Sequence, residues 1–377
     1  IKVLEDAFKL TTLIIVFIAL FISKFALSDL KNCKYNENIC NKLNQVVGIK
    51  TPMMVASGTI IDDDFIVTNR HVVEDHKQLI IRYYNGEIKK AFPLTHNFPA
   101  DLAILTLNKQ KKIPTKLLKL NKINGMIRII GFDQGRKSNR VYDKGKVIAY
   151  SDTNKYPQSR IHTDAKSLPG NSGGAVVDDI GNLVGILASG DGNINEIIPI
   201  SLVNEVIKRT DLIHEDNFFK IGKKIRLCAD NLEEAQYIQK NLDDKIKKNI
   251  DTYCWNSQNK QLIDQAGQTF GRLGDLNKAR KFLEKSIKLD PSSPNSLISL
   301  AIVYHIQRDL EKEKPLILRL LKLTPENPQV LRLGVQVAGI LKDKEMSENV
   351  LELMTKYNRE ALPLAKKFIE NAFKSNQ

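Results

Sequence analysis

The chain has 377 residues, of which 42% are apolar and 27% charged, and its formal net charge is +14. That length exceeds one ordinary core and calls for at least two folded units, while the absence of a broad low-complexity tract excludes a mainly disordered chain. The basic excess is Lys-rich and spread along the chain, so it reads as a solvated surface, and no nucleic-acid partner is expected.

At the N-terminus, the run from Leu10 to Ile22 is apolar apart from Thr11 and Thr12, and it lies between Lys9 and Lys24. It is short for a membrane span of about 20 residues but suits the apolar core of a signal peptide. Ala26-Leu27-Ser28 supplies small residues for cleavage after Ser28. Residues 1–28 are therefore expected to export the chain to a periplasmic or secreted location. An uncleaved anchor at residues 10–23 is the alternative, and the only membrane contact expected. Residues 29–44 then carry Cys33 and Cys40, with Cys228 and Cys254 much later. An even count in an exported chain invites two disulfides. Sequence does not fix the pairing, but export predicts Cys33 with Cys40 and Cys228 with Cys254. No Cys-x-x-Cys motif and no Cys/His cluster with zinc spacing occurs, so neither a metal nor a cofactor is expected.

Residues 45–200 read as short strands broken by turns. Val46–Ile49, Gly58–Ile61, Phe65–Thr68, Leu79–Tyr84 and Leu102–Leu105 are rich in β-branched and aromatic residues, as are Met126–Ile130, Lys146–Tyr150, Gly174–Val177 and Leu183–Ile186. Turn signals such as Asn85-Gly86 and Ile180-Gly181-Asn182 separate them, which predicts an antiparallel barrel or sandwich. From Ser201 onward helical periodicity takes over, placing a domain boundary near 212–225.

The helical part repeats itself. Leu289-Asp290-Pro291 recurs 34 residues later as Leu323-Thr324-Pro325, and Pro294 as Pro328. Asp275, Asp309 and Asp343 keep the same spacing, as do Gly267 with Ala301 and Phe270 with Tyr304. A 34-residue helix–turn–helix period marks tetratricopeptide repeats. The third unit departs most, with Val335 and Ala338 at the small and aromatic positions. Residues 257–377 are thus assigned to repeats, and 213–256 to a helical linker or cap with Leu232, Ala235, Ile238 and Leu242 at helical spacing.

Three strings carry chemistry: Val67-Thr68-Asn69-Arg70-His71-Val72-Val73, Pro99-Ala100-Asp101-Leu102-Ala103-Ile104-Leu105, and Thr163-Asp164-Ala165 followed by Leu168-Pro169-Gly170-Asn171-Ser172-Gly173-Gly174-Ala175. A serine hydroxyl needs a base to become a nucleophile. Histidine titrates near neutrality and can take and return that proton. A buried carboxylate fixes the imidazole tautomer. The N–H groups of Gly170 and Ser172 can meet the oxyanion, and the glycines permit the tight backbone. The order His71, Asp101, Ser172 in one strand-rich domain is that of chymotrypsin-like peptidases rather than subtilisins or α/β-hydrolases. His76, His96 and His162 lack the pattern flanking His71. Asp62-Asp63-Asp64 reads as a hairpin turn without the ligand ladder of a calcium loop.

Over residues 45–207 these strings resemble the HtrA/Deg-type serine proteases. The resemblance implies two six-stranded barrels with the site between them, His71, Asp101 and Ser172 as the triad, and Gly170 with Ser172 as oxyanion hole. It further implies cleavage of unfolded polypeptides without ATP in protein quality control. Two features depart from that family: repeats replace the PDZ domains that usually follow the barrels, and Lys166 stands where trypsin-like enzymes place an acidic specificity residue. Lys166 suits solvent as well as the pocket. The fold expected is an all-β double barrel at 45–212 followed by an all-α repeat domain. The function expected is a serine endopeptidase acting on protein or peptide substrates, with the repeats recruiting substrate or a protein partner. A non-proteolytic repeat-based binder or chaperone, using the barrels as scaffold, is the alternative. The barrels are expected to be chemically complete without the helical half, since the triad and oxyanion donors all precede residue 175.

Overall fold

The computed structural model describes residues 33–108, 113–190, 193–237 and 242–375. The signal-peptide reading of residues 1–28, and Ile238, lie outside these. Both expected disulfides, Cys33–Cys40 and Cys228–Cys254, are formed. Among the described residues, no helix is long and apolar enough to cross a membrane.

A short helix, α1 (Glu37–Asn44), leads into the first half of the β domain. There β1 (Val46–Lys50), β2 (Val55–Asp62), β3 (Phe65–Thr68), β4 (Leu79–Arg82), β5 (Ile88–Leu94) and β6 (Ala103–Thr106) close into a barrel in the order β1-β2-β3-β6-β5-β4. Turns at Asp63-Asp64 and Asn85-Gly86 join the hairpins, and Gly86 takes the positive φ that such a turn requires. The barrel is filled by Val47, Ile49, Ile66, Ile81 and Leu105.

The second half is a seven-stranded sheet rather than a closed six-stranded barrel. It comprises β7 (Ile127–Asp133), β8 (Ser138–Val141), β9 (Val147–Tyr150), β10 (Ile161–Thr163), β11 (Ala175–Asp178), β12 (Leu183–Gly190) and β13 (Asn195–Pro199), in the order β8-β7-β11-β12-β13-β10-β9. The chain between β8 and β9 leaves the ladder at Gly145, which bridges to Ile127, so the two end strands do not meet. The two halves share a core in which Val67, Leu94 and Ile104 pack against Ile186, Ala188 and Ile198, covered by α3 (Ile200–Lys208).

The helical half begins with α4 (Glu215–Tyr237), followed by α5 (Asp244–Asn249) and a π turn at Ile250–Cys254. Three antiparallel pairs follow: α6 (Lys260–Arg272) with α7 (Leu276–Leu289), α8 (Pro294–Gln307) with α9 (Leu310–Leu323), and α10 (Pro328–Ile340) with α11 (Lys344–Tyr357). A last helix, α12 (Leu362–Lys374), packs on α10. The 34-residue spacing has a physical cause at most of these starts, although Asp309 makes no side-chain capping bond. Asp275 and Asp343 cap their helices by accepting from the N–H groups of Lys278 and Met346, and Pro294 and Pro328 occupy first-turn positions behind the caps Ser293 and Asn327. Gly267 lets α6 approach the Leu283 side chain on α7. The third unit is a complete pair, with Val335 and Ala338 buried despite their departure from the pattern. Leu232, Ala235 and Leu242 join the core of the first repeat, so α4 closes that end of the array.

Candidate active site

His71 lies on a single helical turn, α2 (Arg70–Val73), directly after β3. Val72 and Val73 are fully buried in the first barrel and fix that turn to its core. Pairing of Thr68 with Ala103 sets β3 beside β6, which brings Asp101 next to the His71 turn. Asp101 grips His71 twice: Oδ2 lies 2.8 Å from Nδ1, and Oδ1 accepts the His71 N–H at 3.0 Å. The Asn69 side chain donates to the Asp101 carbonyl, tying the two segments further. Asp101 is fully buried while His71 keeps 14% of its side chain exposed. Burial pushes Asp101 up, but the charge of His71, its hydrogen bonds and Arg160 outweigh that and hold the carboxyl below its ordinary value.

Ser172 sits on the loop between β10 and β11, which the first barrel stitches in place. The Ser57 N–H donates to the Ser172 carbonyl at 2.8 Å, and Ser57 Oγ donates to the Gly170 carbonyl at 2.8 Å. Thr59 Oγ1 donates to the Gly173 carbonyl. Gly170 and Gly173 have φ of +97° and +87°, and a Cβ on Gly173 would collide with the Ser57 carbonyl and the Thr68 hydroxyl. Asn171 points inward, its Oδ1 accepting from the Leu168 N–H and its Nδ2 donating to the Phe132 carbonyl. Ser172 is left partly exposed, on a loop packed against Thr68, three residues before His71. Among the described residues its hydroxyl makes no hydrogen bond with His71, and the N–H groups of Gly170 and Ser172 have no protein acceptor.

The remaining candidates fall elsewhere. His76 pairs with Glu74 at 3.4 Å. His96 is buried, its Nε2 against the Leu102 carbonyl, and burial with Arg70 nearby brings it down to about 3. His162 pairs with Asp290 at 2.8 Å. Asp164 accepts the Lys146 N–H and braces the β9 end, while Lys166 is exposed. Among the described residues no cluster of His, Cys, Asp and Glu could hold a metal ion.

Sequence reading missed three residues. Ser57 lies in an ordinary strand and nothing in that string marks it. Arg160 is fully buried, 3.9 Å from Asp101 Oδ2 and 4.0 Å from Glu196 Oε2. Asn259, at the start of α6, donates from Nδ2 to Asp101 Oδ1 at 2.8 Å. Its sequence signal is that of a helix cap alone. His71, Asp101, Gly170 and Ser172 all lie in the β domain, as expected, but one donor to Asp101, Asn259, comes from the helical half.

Comparison with known proteins shows what each half of the chain is similar to. Residues 56–186 match the trypsin-like peptidase domain, and residues 261–293 match a tetratricopeptide repeat. The chain therefore carries a trypsin-like peptidase domain followed by helical repeats. More particularly, its β half is similar to Deg/HtrA proteases. It is 28% identical to the serine endoprotease DegS of Escherichia coli (strain K12) over 210 residues, which cover 51% of this chain and 55% of that protein. It is 27% identical to a serine protease HtrA-like of Staphylococcus haemolyticus over 217 residues, covering 52% and 34% respectively. Among solved structures, the serine endoprotease from Yersinia pestis is 27% identical over 50% of this chain and 67% of that one, with a TM-score of 0.38. The chain spans about half the length of the DegS relatives it matches.

Proposed function

We propose that the chain is a serine endopeptidase that hydrolyses peptide bonds of exported polypeptides through an acyl-enzyme, with Ser172 as nucleophile, His71 as base and Asp101 orienting the base. The observation that carries this reading is the double grip of Asp101 on His71, at 2.8 and 3.0 Å, beside a glycine-framed serine loop. With Nδ1–H donated to Asp101, His71 offers Nε2 to the Ser172 hydroxyl. As Ser172 Oγ attacks the scissile carbonyl carbon, His71 takes its proton. The carbonyl oxygen, now bearing the charge, accepts from the Gly170 and Ser172 N–H groups. His71 then gives the proton to the leaving amine. Water, deprotonated by the same imidazole, releases the acyl group from Ser172.

Residues 45–212 form the peptidase domain in this reading, 213–256 a helical connector and cap, and 257–377 the repeats, which bind a protein partner or substrate through the units beyond the first. The two disulfides favour an oxidising compartment, in keeping with export by residues 1–28. In the purified full chain, Ser172→Ala should lower cleavage of an unfolded protein substrate at least about 10³-fold with thermal stability unchanged, and Asp101→Asn should cost about 10⁴-fold. Cleavage by Ser172→Ala at the wild-type rate contradicts the assignment. A chain that binds unfolded protein without Ser172-dependent cleavage is instead the non-proteolytic binder.

A further inference from the structure

Asp101 is held from both halves of the molecule. Its Oδ2 faces His71 Nδ1 at 2.8 Å. Its Oδ1 accepts two donors, the His71 N–H at 3.0 Å and Asn259 Nδ2–H at 2.8 Å. A carboxylate this deeply buried is removed from bulk solvent, so each protein donor bears on its charge and orientation. Asn259 is 2% exposed, and its other side-chain atom is committed as well: Oδ1 accepts from Gln261 and Leu262 N–H and caps α6. The amide can therefore present Nδ2 to Asp101 in one orientation only.

The backbone around Asn259 is fixed from two directions. Upstream, its N–H donates to Ser257 Oγ, which itself donates to the Cys254 carbonyl, and Cys254 is disulfide-bonded to Cys228 on α4. Helix α4 is pinned to the His71 turn. Arg70 donates to the Phe218 carbonyl at 2.6 Å, Arg226 holds Asp75 through two bonds of 2.8 and 3.0 Å, and Gly222 lies so close to the Glu74 carbonyl that a Cβ there would collide. Downstream, Lys260 is fully buried, its Nζ donating to Glu196 at 2.6 Å and to Ser293 at 3.0 Å, and its N–H donating to Gln158 at 3.0 Å. Glu196 lies 4.0 Å from Arg160, and Arg160 3.9 Å from Asp101. A run of alternating buried charges thus joins the first repeat to the same carboxylate that Asn259 touches.

We infer that Asn259 is a positioning residue for peptide hydrolysis, and that the first repeat, docked on the β domain, completes the setting of Asp101. The inference rests on the reading of Asp101 as the residue that orients His71. It makes the helical half part of the catalytic apparatus, so an event that loosens α6 from the β domain lowers turnover without touching Ser172.

The test compares full-length wild type with Asn259→Ser, which keeps a capping oxygen for α6 and withdraws the donor from Asp101. The readouts are kcat and KM on a short peptide substrate, the rate of labelling by a small fluorophosphonate, and the thermal midpoint. We expect kcat and the labelling rate to fall about 10- to 100-fold, the range of a hydrogen bond to a charged group, with KM unchanged. The downfield proton resonance of His71 Nδ1–H should shift at the same time, which a loss of stability alone does not cause. Should Asn259→Ser fail to fold, Asn259→Asp retains the shape and the cap while placing a second carboxylate against Asp101, and it should lose at least as much. Wild-type kcat in either folded variant overturns the inference and leaves the peptidase reading standing. A wild-type chain that neither labels nor hydrolyses overturns both.

Discussion

Besides the seat of α4 on the His71 turn, the repeats meet the β domain through two regions of opposite character. Near Asp101, Lys260 and Asp290 are buried against Glu196, Arg160 and His162, with contacts of 2.6 Å for Lys260–Glu196 and 2.8 Å for His162–Asp290. Farther out, at the start of the third repeat, the ion pair joining repeats to sheet is Lys146–Glu326, at 3.4 Å and with both side chains about half exposed. The first region removes charges from water and must pair them closely to be tolerated. The second leaves its charges solvated and contributes little. The difference shows where the two halves behave as one body: the first repeat belongs structurally with the β domain, and the later repeats form their own core around Ile317, Leu321, Val330, Leu331 and Val350.

The sharpest way to break that contrast is to remove one buried partner. Lys260→Met leaves Glu196 without its nearest cation and should cost about 3–5 kcal/mol, read in the first urea unfolding transition. A loss below about 1 kcal/mol would make the two regions equivalent. Acid acts on the same pair more gradually. Burial alone would raise Glu196, but Lys260, His162 and Arg160 outweigh it and hold the carboxyl down to about 2, against an ordinary value of 4.5. Because the folded value is depressed, the stabilisation is complete above 4.5 and is lost as the pH falls towards about 2. Glu196→Gln should flatten that acid dependence. The smallest effect belongs to the outer region, where Lys146→Ala should change stability by no more than about 0.5 kcal/mol. A large loss there would mean that the later repeats are docked as firmly as the first.

The contrast also bears on what could be read from sequence. The serine loop was legible because its chemistry is local: Gly170 and Gly173 must take positive φ, and the spelling Gly-Asn-Ser-Gly-Gly follows from that. The repeats were legible because Asp275, Asp343, Pro294 and Pro328 each serve a helix start, at a fixed interval. Strands β5 and β13 were not. Lys89, Lys90 and Pro93 mask β5, whose first half is exposed. The polar pair Asn195-Glu196 masks β13, which buries Glu196 for the sake of Lys260 and Arg160. Arg160 escaped for a related reason. Its guanidinium nitrogens have no hydrogen-bond acceptor in the protein, so that group is held by charge from residues distant in sequence. Asn259 carries the signature of a helix cap, and only the docking of α6 reveals that its amide faces Asp101. Partnerships across an interface leave no periodicity in either strand or helix.

All of this turns on one hydroxyl. The direct measurement is to react the purified full chain with a fluorophosphonate probe, digest it and identify the modified residue by mass spectrometry. The account predicts a single phosphonylated residue, Ser172, formed in wild type and absent in His71→Ala. An unlabelled wild type, or label on any other serine, would contradict it.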